Sequence, residues 1–183
     1  MANQFTYQVL RDTTQKSVIK ITGFFDGTSG DETNTARIQA NTLYGALDAN
    51  GAPLRTSFSQ SNTALSYYGL SIERIWYSSN FQGTGHARLY WQSGSAANTK
   101  TIIGVTGQGN GEYNGQGNWI SIPNVSAGTA GCLGDIGIQT YGANVANSTY
   151  NIIIELRKDN VYYNAGQFND PAAFNFGVYS LDP

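Results

Sequence analysis

The sequence predicts an all-β protein: an antiparallel β-sandwich of eight or nine strands, in a jelly-roll or Greek-key arrangement, followed by an extended aromatic C-terminal arm. Three observations carry this expectation. Apolar residues recur with period two in several separate segments, the spacing of a strand with one buried face. Stretches rich in Gly, Asn, Ser and Asp divide those segments at sandwich-like intervals. The composition agrees, with 22 Gly and 12 Tyr against only 12% charged residues. That balance favours turns and sheet over helix. A chain of 183 residues is most economically one domain.

The elements follow in order. Phe5 to Arg11 alternates Phe5, Tyr7 and Val9 against Thr6, Gln8 and Leu10. Lys16 to Phe25 is a second strand with Ile19 and Ile21 in phase, and Asp26 to Asp31 is a loop. Thr33 to Ala40 gives a third, with Ala36, Ile38 and Ala40 in phase. Residues 41–69 are the least regular. A short helix could open there, but Asn50-Gly51 and Pro53 end it. The segment reads as an elaborated loop suited to contacts outside the core.

Leu70 to Gln92 reads as two strands joined like a hairpin. In its second half Ala87, Leu89 and Trp91 share the dry face, leaving His86, Arg88, Tyr90 and Gln92 wet. In its first half Leu70, Ile72 and Trp76 share a face with Arg74, which demands either a bulge or a paired guanidinium. Trp76 and Trp91 are expected to anchor one core. Thr101 to Thr106 is a short strand. Gly107 to Asn118 (GQGNGEYNGQGN) reads as a mobile hairpin loop. No Lys-Ser or Lys-Thr follows it, as a phosphate loop would need, and Glu112 is its only carboxylate, too few for Ca²⁺. Trp119 to Ile122 resumes a strand. Leu133 to Tyr141 places Ile136 and Ile138 on one face, and Ser148 to Lys158 aligns Tyr150, Ile152, Ile154 and Leu156.

Two units result: a domain over residues 1–158 and an arm over residues 159–183. The arm carries Tyr162, Tyr163, Phe168, Phe174, Phe176 and Tyr179 with little alternation. Rings at that density either cover the domain or dock on another chain. With Tyr67 and Tyr68, they are the candidate contacts with a partner or a second copy. Deleting residues 160–183 is expected to leave a folded domain.

Charge and chemistry exclude several classes. A net charge of −2 with scattered Lys and Arg offers no footprint for nucleic acid. One Cys and one His, Cys132 and His86, leave no internal disulfide, no zinc site of ordinary composition and no nucleophile with a neighbouring base. No catalytic residue, metal or cofactor is expected. Glu73 and Glu155 suit pairing with Lys or Arg on a sheet better than glycosidase chemistry. The first residues hold no apolar core of a signal peptide, and no apolar run nears the roughly 20 residues that cross a bilayer. A cytoplasmic origin and no membrane contact are therefore expected. The rival to a structural role is sugar binding on a platform of Tyr67, Tyr68, Tyr77, Tyr90 and Trp91.

Five segments in order carry a resemblance: Val9 to Gly23 (VLRDTTQKSVIKITG), Leu70 to Ser78 (LSIERIWYS), His86 to Gln92 (HARLYWQ), Leu133 to Thr140 (LGDIGIQT) and Ser148 to Lys158 (STYNIIIELRK). Together they resemble small β-sandwich virion proteins of tailed bacteriophages. The resemblance spans most of residues 9–158. It implies a non-enzymatic capsid decoration, or cement, protein on the virion surface, made in the host bacterial cytoplasm. Its partner would be the major capsid protein, bound across neighbouring subunits. A homo-oligomer, a trimer before a dimer, would suit a local symmetry axis of the shell. The resemblance implies no catalytic residue. The segment 41–69 and the aromatic arm depart from the pattern. They leave open a tail or head-fibre adhesin as the alternative.

Overall fold

A computed structural model of the chain describes residues 2–33, 35–47, 55–56, 59–60, 67–93, 99–114, 122–123, 132–159, 162–163 and 179–180. The fold is all-β with two antiparallel sheets. Among the described residues there is no α-helix, only a three-residue 3-10 turn at Ala40–Thr42. The strands are β1 (Gln4–Asp12), β2 (Lys16–Phe24), β3 (Thr35–Ile38), β4 (Arg55–Thr56), β5 (Ser59–Gln60), β6 (Leu70–Asn80), β7 (His86–Trp91), β8 (Lys100–Thr106), β9 (Gln108–Asn114), β10 (Ile122–Pro123), β11 (Ile136–Tyr141), β12 (Thr149–Lys158) and β13 (Tyr179–Ser180).

The larger sheet runs β10-β6-β12-β2-β1-β13, and β9 pairs with the same edge of β6 as β10. The smaller runs β3-β11-β7-β8, and β4 and β5 form a separate two-stranded ribbon. Both sheets feed one buried cluster. From the larger come Ile19, Ile21, Ile72, Ile75, Ile152 and Ile154; from the smaller, Ile38, Leu89, Trp91, Val105, Ile136 and Ile138. The alternation read in β2 and β12 is the alternation observed: Ile19, Ile21, Ile152 and Ile154 are 0% exposed.

Three expectations need correction. β6 and β7 do not form a hairpin: they lie in different sheets, and β6 pairs with β12 along its whole length. The turn at residues 81–85 changes sheet rather than reversing within one. The chain changes sheet again at Gly107, whose φ of 64° suits glycine, and its carbonyl accepts hydrogen bonds from Phe81 N and Ser79 Oγ. The supposed loop after Gly107 is the strand β9, paired in register with Arg74 to Asn80. Its glycines and asparagines hid a strand because the partner strand supplies the hydrogen bonds and much of the side-chain cover. Residues 115–118 of that segment lie outside the described residues.

Trp76 does not join Trp91 in the core. Pairing with β12 shifts register between Ile72 and Arg74, so Glu73 is the extra residue of a bulge. The bulge resets the phase: Ile72 and Ile75 point inward, and Trp76 stands on the opposite face. Arg74 is also paired, its Nε 3.7 Å from Glu155. Among the described residues no helix is long and apolar enough to cross a membrane.

Candidate functional site

The outward face of the larger sheet carries an uncharged polar surface. Strand register places Asn110, Ser78, Asn151, Thr22 and Thr6 in one row across five strands. The adjacent row is Gln108, Asn80, Thr149, Phe24 and Gln4. Of these ten positions only Phe24 is apolar and none is charged. Neighbouring strands lie about 4.8 Å apart and same-face residues along a strand about 7 Å apart, so the rows form a lattice of hydroxyls and amides. A groove of about 510 Å³ runs over this lattice from β1 to β6. Thr6 and Thr22 share a hydroxyl–hydroxyl hydrogen bond. Asn151, at the centre, has its Oδ1 buried with no hydrogen-bond partner.

The next row changes character. Glu112, Trp76, Ile153, Lys20 and Gln8 lie in it. Beyond them the charges pair with one another: Lys16 Nζ reaches Glu73 at 2.6 Å and Glu155 at 3.0 Å. Those hydrogen bonds, to Glu73 first, hold the Lys16 ammonium above its ordinary pKa. The pairing expected of Glu73 and Glu155 is therefore present.

Buried polar groups hold the ends of the fold together. Lys158, with 0% of its side chain exposed, donates to the Asp12 carboxylate, Thr13 O and Tyr44 O. Asp12 also accepts from Ser17 Oγ and Tyr44 N. One lysine thus ties the end of β12 to the β1–β2 turn and to the segment after β3. At the other end, Glu32 accepts from Tyr150 Oη at 2.6 Å and from Arg37 Nε. Burial pushes the Glu32 carboxyl above its ordinary pKa, and the bonds from Tyr150 and Arg37 oppose that rise. Beside it, Asp31 accepts from the backbone N–H groups of Gly142, Ala143 and Asn144. These contacts spend their donors internally and have the character of structural ties.

The predicted contact residues divide. Tyr68 and Tyr163 are core residues, each 0% exposed and 5.6 Å apart by ring centroid. Their hydroxyls donate to Leu47 O and Ala40 O. Neither ring has exposed surface to offer a partner in this structure. Tyr67 and Tyr162 pack edge to face at 5.3 Å and are half-buried. Phe168, Phe174 and Phe176 lie outside the described residues. Of Tyr179 the backbone pairing is described: it lies opposite Val9 on β1.

Sequence reasoning missed how early the arm rejoins the domain. Asp159 N donates to Gly69 O, and Ala46 forms an antiparallel bridge with Tyr163. A chain cut after residue 159 would lose the Tyr163 ring from the core.

The imagined sugar platform is not a surface. Tyr68, Tyr90 and Trp91 are at most 1% exposed, and Tyr77 packs against the core. Tyr90 was expected on the wet face of β7 and is buried instead, its ring lying across Gly137 of β11. Desolvation pushes its hydroxyl up to about 12. His86 stacks on Tyr141 at 5.1 Å on the smaller sheet, and Cys132 is buried. Among the described residues no three His, Cys, Asp or Glu side chains gather as metal ligands would. No family model, curated protein or solved structure matches this chain.

Proposed function

We propose that the chain is a non-enzymatic structural protein of a tailed-bacteriophage virion, a decoration or cement protein of the capsid. Its two sheets form a β-sandwich of jelly-roll or Greek-key type. The observation that carries this reading is where the five resemblance segments fall. They become β1 with β2, β6, β7, β11 and β12, the strands that supply most of the shared core. The likeness therefore concerns the framework of the fold rather than a surface motif.

A cement protein resists separation of coat subunits by touching several at once. Each contact raises the effective concentration of the next, so modest interfaces suffice. The partner is the major capsid protein, and the chain sits on the outer surface of the shell. Of the candidate contact residues whose burial is described, Tyr67 and Tyr162 keep some exposed surface for it, and a trimer fits a local three-fold axis.

The test is a density map of virions of the phage that encodes this chain, with mass spectrometry of the same particles. The expected result is the chain on the head, in fixed proportion to the coat protein. Placement at the tail tip or on a fibre would replace cement with adhesion. Absence from purified virions would end both readings.

A further inference from the structure

We propose that the groove on the outward face of the larger sheet binds a neutral oligosaccharide. The lining decides the ligand class. Two rows of Ser, Thr, Asn and Gln hold donors and acceptors at every strand and no charge at any position. A phosphate or sulfate ligand would need cations, and the nearest lysine positions are one row away or already paired with carboxylates. A protein partner would look for buried aromatic, Met or Arg anchors. The rows offer one apolar ring, Phe24. What fits a dense array of uncharged donors and acceptors is a ligand of the same kind, a ring bearing hydroxyls.

The shape agrees. A volume of about 510 Å³ lies within the usual range for small-ligand sites and suits a short oligosaccharide rather than a single ion. Asn151 gives the site a centre. Its Oδ1 is buried and unpartnered, and such an atom is costly to leave so. A ligand hydroxyl seated between Asn151 and its neighbours would supply the donor after a small rotation of the amide. Trp76 gives the site an end. It stands two residues from Ser78 on the same strand and face, half-buried, with Arg74 5.8 Å from its ring. Its ring adds the flat apolar surface that the C–H faces of a sugar require.

The test uses the isolated full-length chain in two-dimensional ¹⁵N NMR titrations. The neutral probes are maltohexaose, cellohexaose, N-acetylchitohexaose and a mannohexaose; a heparin hexasaccharide is the charged control. The expected result is that at least one neutral probe moves the resonances of Thr6, Thr22, Ser78 and Asn151, and that the heparin probe moves none. Ser78 is exposed, so Ser78→Trp should fold normally while filling the groove, and should weaken the binding at least tenfold. Asn151→Ala should weaken it comparably. No shift at these residues with any neutral probe at about 10 mM overturns the proposal, since that excludes even millimolar affinity. Binding that Ser78→Trp leaves unchanged overturns it as well. The experiment contains no capsid, so its outcome is independent of where the chain sits in a virion.

Discussion

The ring of Tyr150 lies across Gly23, and the two residues face each other in register on β12 and β2. A Cβ added at Gly23 would lie within 2.9 Å of three ring carbons. The same relationship occurs twice more, with Tyr90 over Gly137 and Tyr77 over Gly111, each again a directly opposed pair. A tyrosine laid flat over a glycine covers the bare backbone that glycine leaves and fills two side-chain places with one ring. The high counts of Gly and Tyr are thus partly one feature. Gly23→Ala and Gly137→Ala should each cost about 1–3 kcal/mol through overpacking. Gly104→Ala, with nothing within 4 Å of its Cβ, should stay within about 0.5 kcal/mol of the parent. Urea unfolding of the three variants measures this. Equal effects at Gly23 and Gly104 would show that the ring moves aside freely.

Lys158 should matter more than any surface charge. Its ammonium is enclosed by Asp12 and two carbonyls, so Lys158→Met leaves three acceptors short of a donor. Asp12 retains its bonds from Ser17 and Tyr44, which places the cost near the lower end of the range for breaking a buried pair, about 3 kcal/mol. Lys16→Met, by contrast, removes two partly exposed ion pairs, to Glu73 and Glu155, and should cost less than about 1 kcal/mol. Chemical denaturation of both variants gives the comparison. A Lys16 effect equal to that of Lys158 would contradict it.

The alternation of β2 and β12 was legible because each buries one face against the core, and a half-buried strand writes its period into the sequence. β9 was not legible. Its outward residues are Gln, Asn and Glu, and its inward side is partly filled by Tyr77 reaching over Gly111 from β6. Tyr113, opposite Ile75, is its one inward ring, and a single ring writes no period into the sequence. The placement of β6 and β7 in different sheets was equally hidden, since a short connection containing Gly serves a hairpin or a sheet crossing alike. The groove was invisible for a related reason. Thr6, Thr22, Ser78, Asn110 and Asn151 are far apart in sequence, and only strand register puts them in a row.

Asp135 predicts a pH dependence. Burial raises its carboxyl above the ordinary value of 3.8, against the opposing pull of the Ala40 N–H bond. A raised carboxyl binds its proton more tightly in the folded state. Its contribution to stability is therefore fully present below pH 3.8 and is lost as pH rises through the folded value. Asp135→Asn keeps an acceptor for Ala40 N and cannot ionise. Relative to the parent, its melting temperature should improve on going from pH 3 to pH 7. Differential scanning calorimetry at both values is the measurement. A difference between the chains that is the same at both would show that Asp135 titrates normally.

The last prediction separates folding from assembly in the arm. Tyr163 is a core residue, and losing its ring should cost about 3–5 kcal/mol, the range for deleting a large buried aromatic. A chain ending at residue 159 should therefore be markedly destabilised. A chain ending at residue 163 keeps the Tyr68–Tyr163 contact and the Ala46 bridge, and should unfold close to the parent. It lacks Tyr179 and Ser180, which pair with Val9 and Gln8 at the edge of the larger sheet. That edge is then left without its strand, and an open edge is where a sheet recruits another chain. If the arm serves assembly, the chain ending at 163 should be folded by circular dichroism yet altered in self-association, in capsid attachment, or in both. Sedimentation velocity reads the first and decoration of stripped shells the second. A folded chain ending at 163 that kept the parent's oligomeric state and decorated shells at full occupancy would confine the arm to covering its own sheet edge.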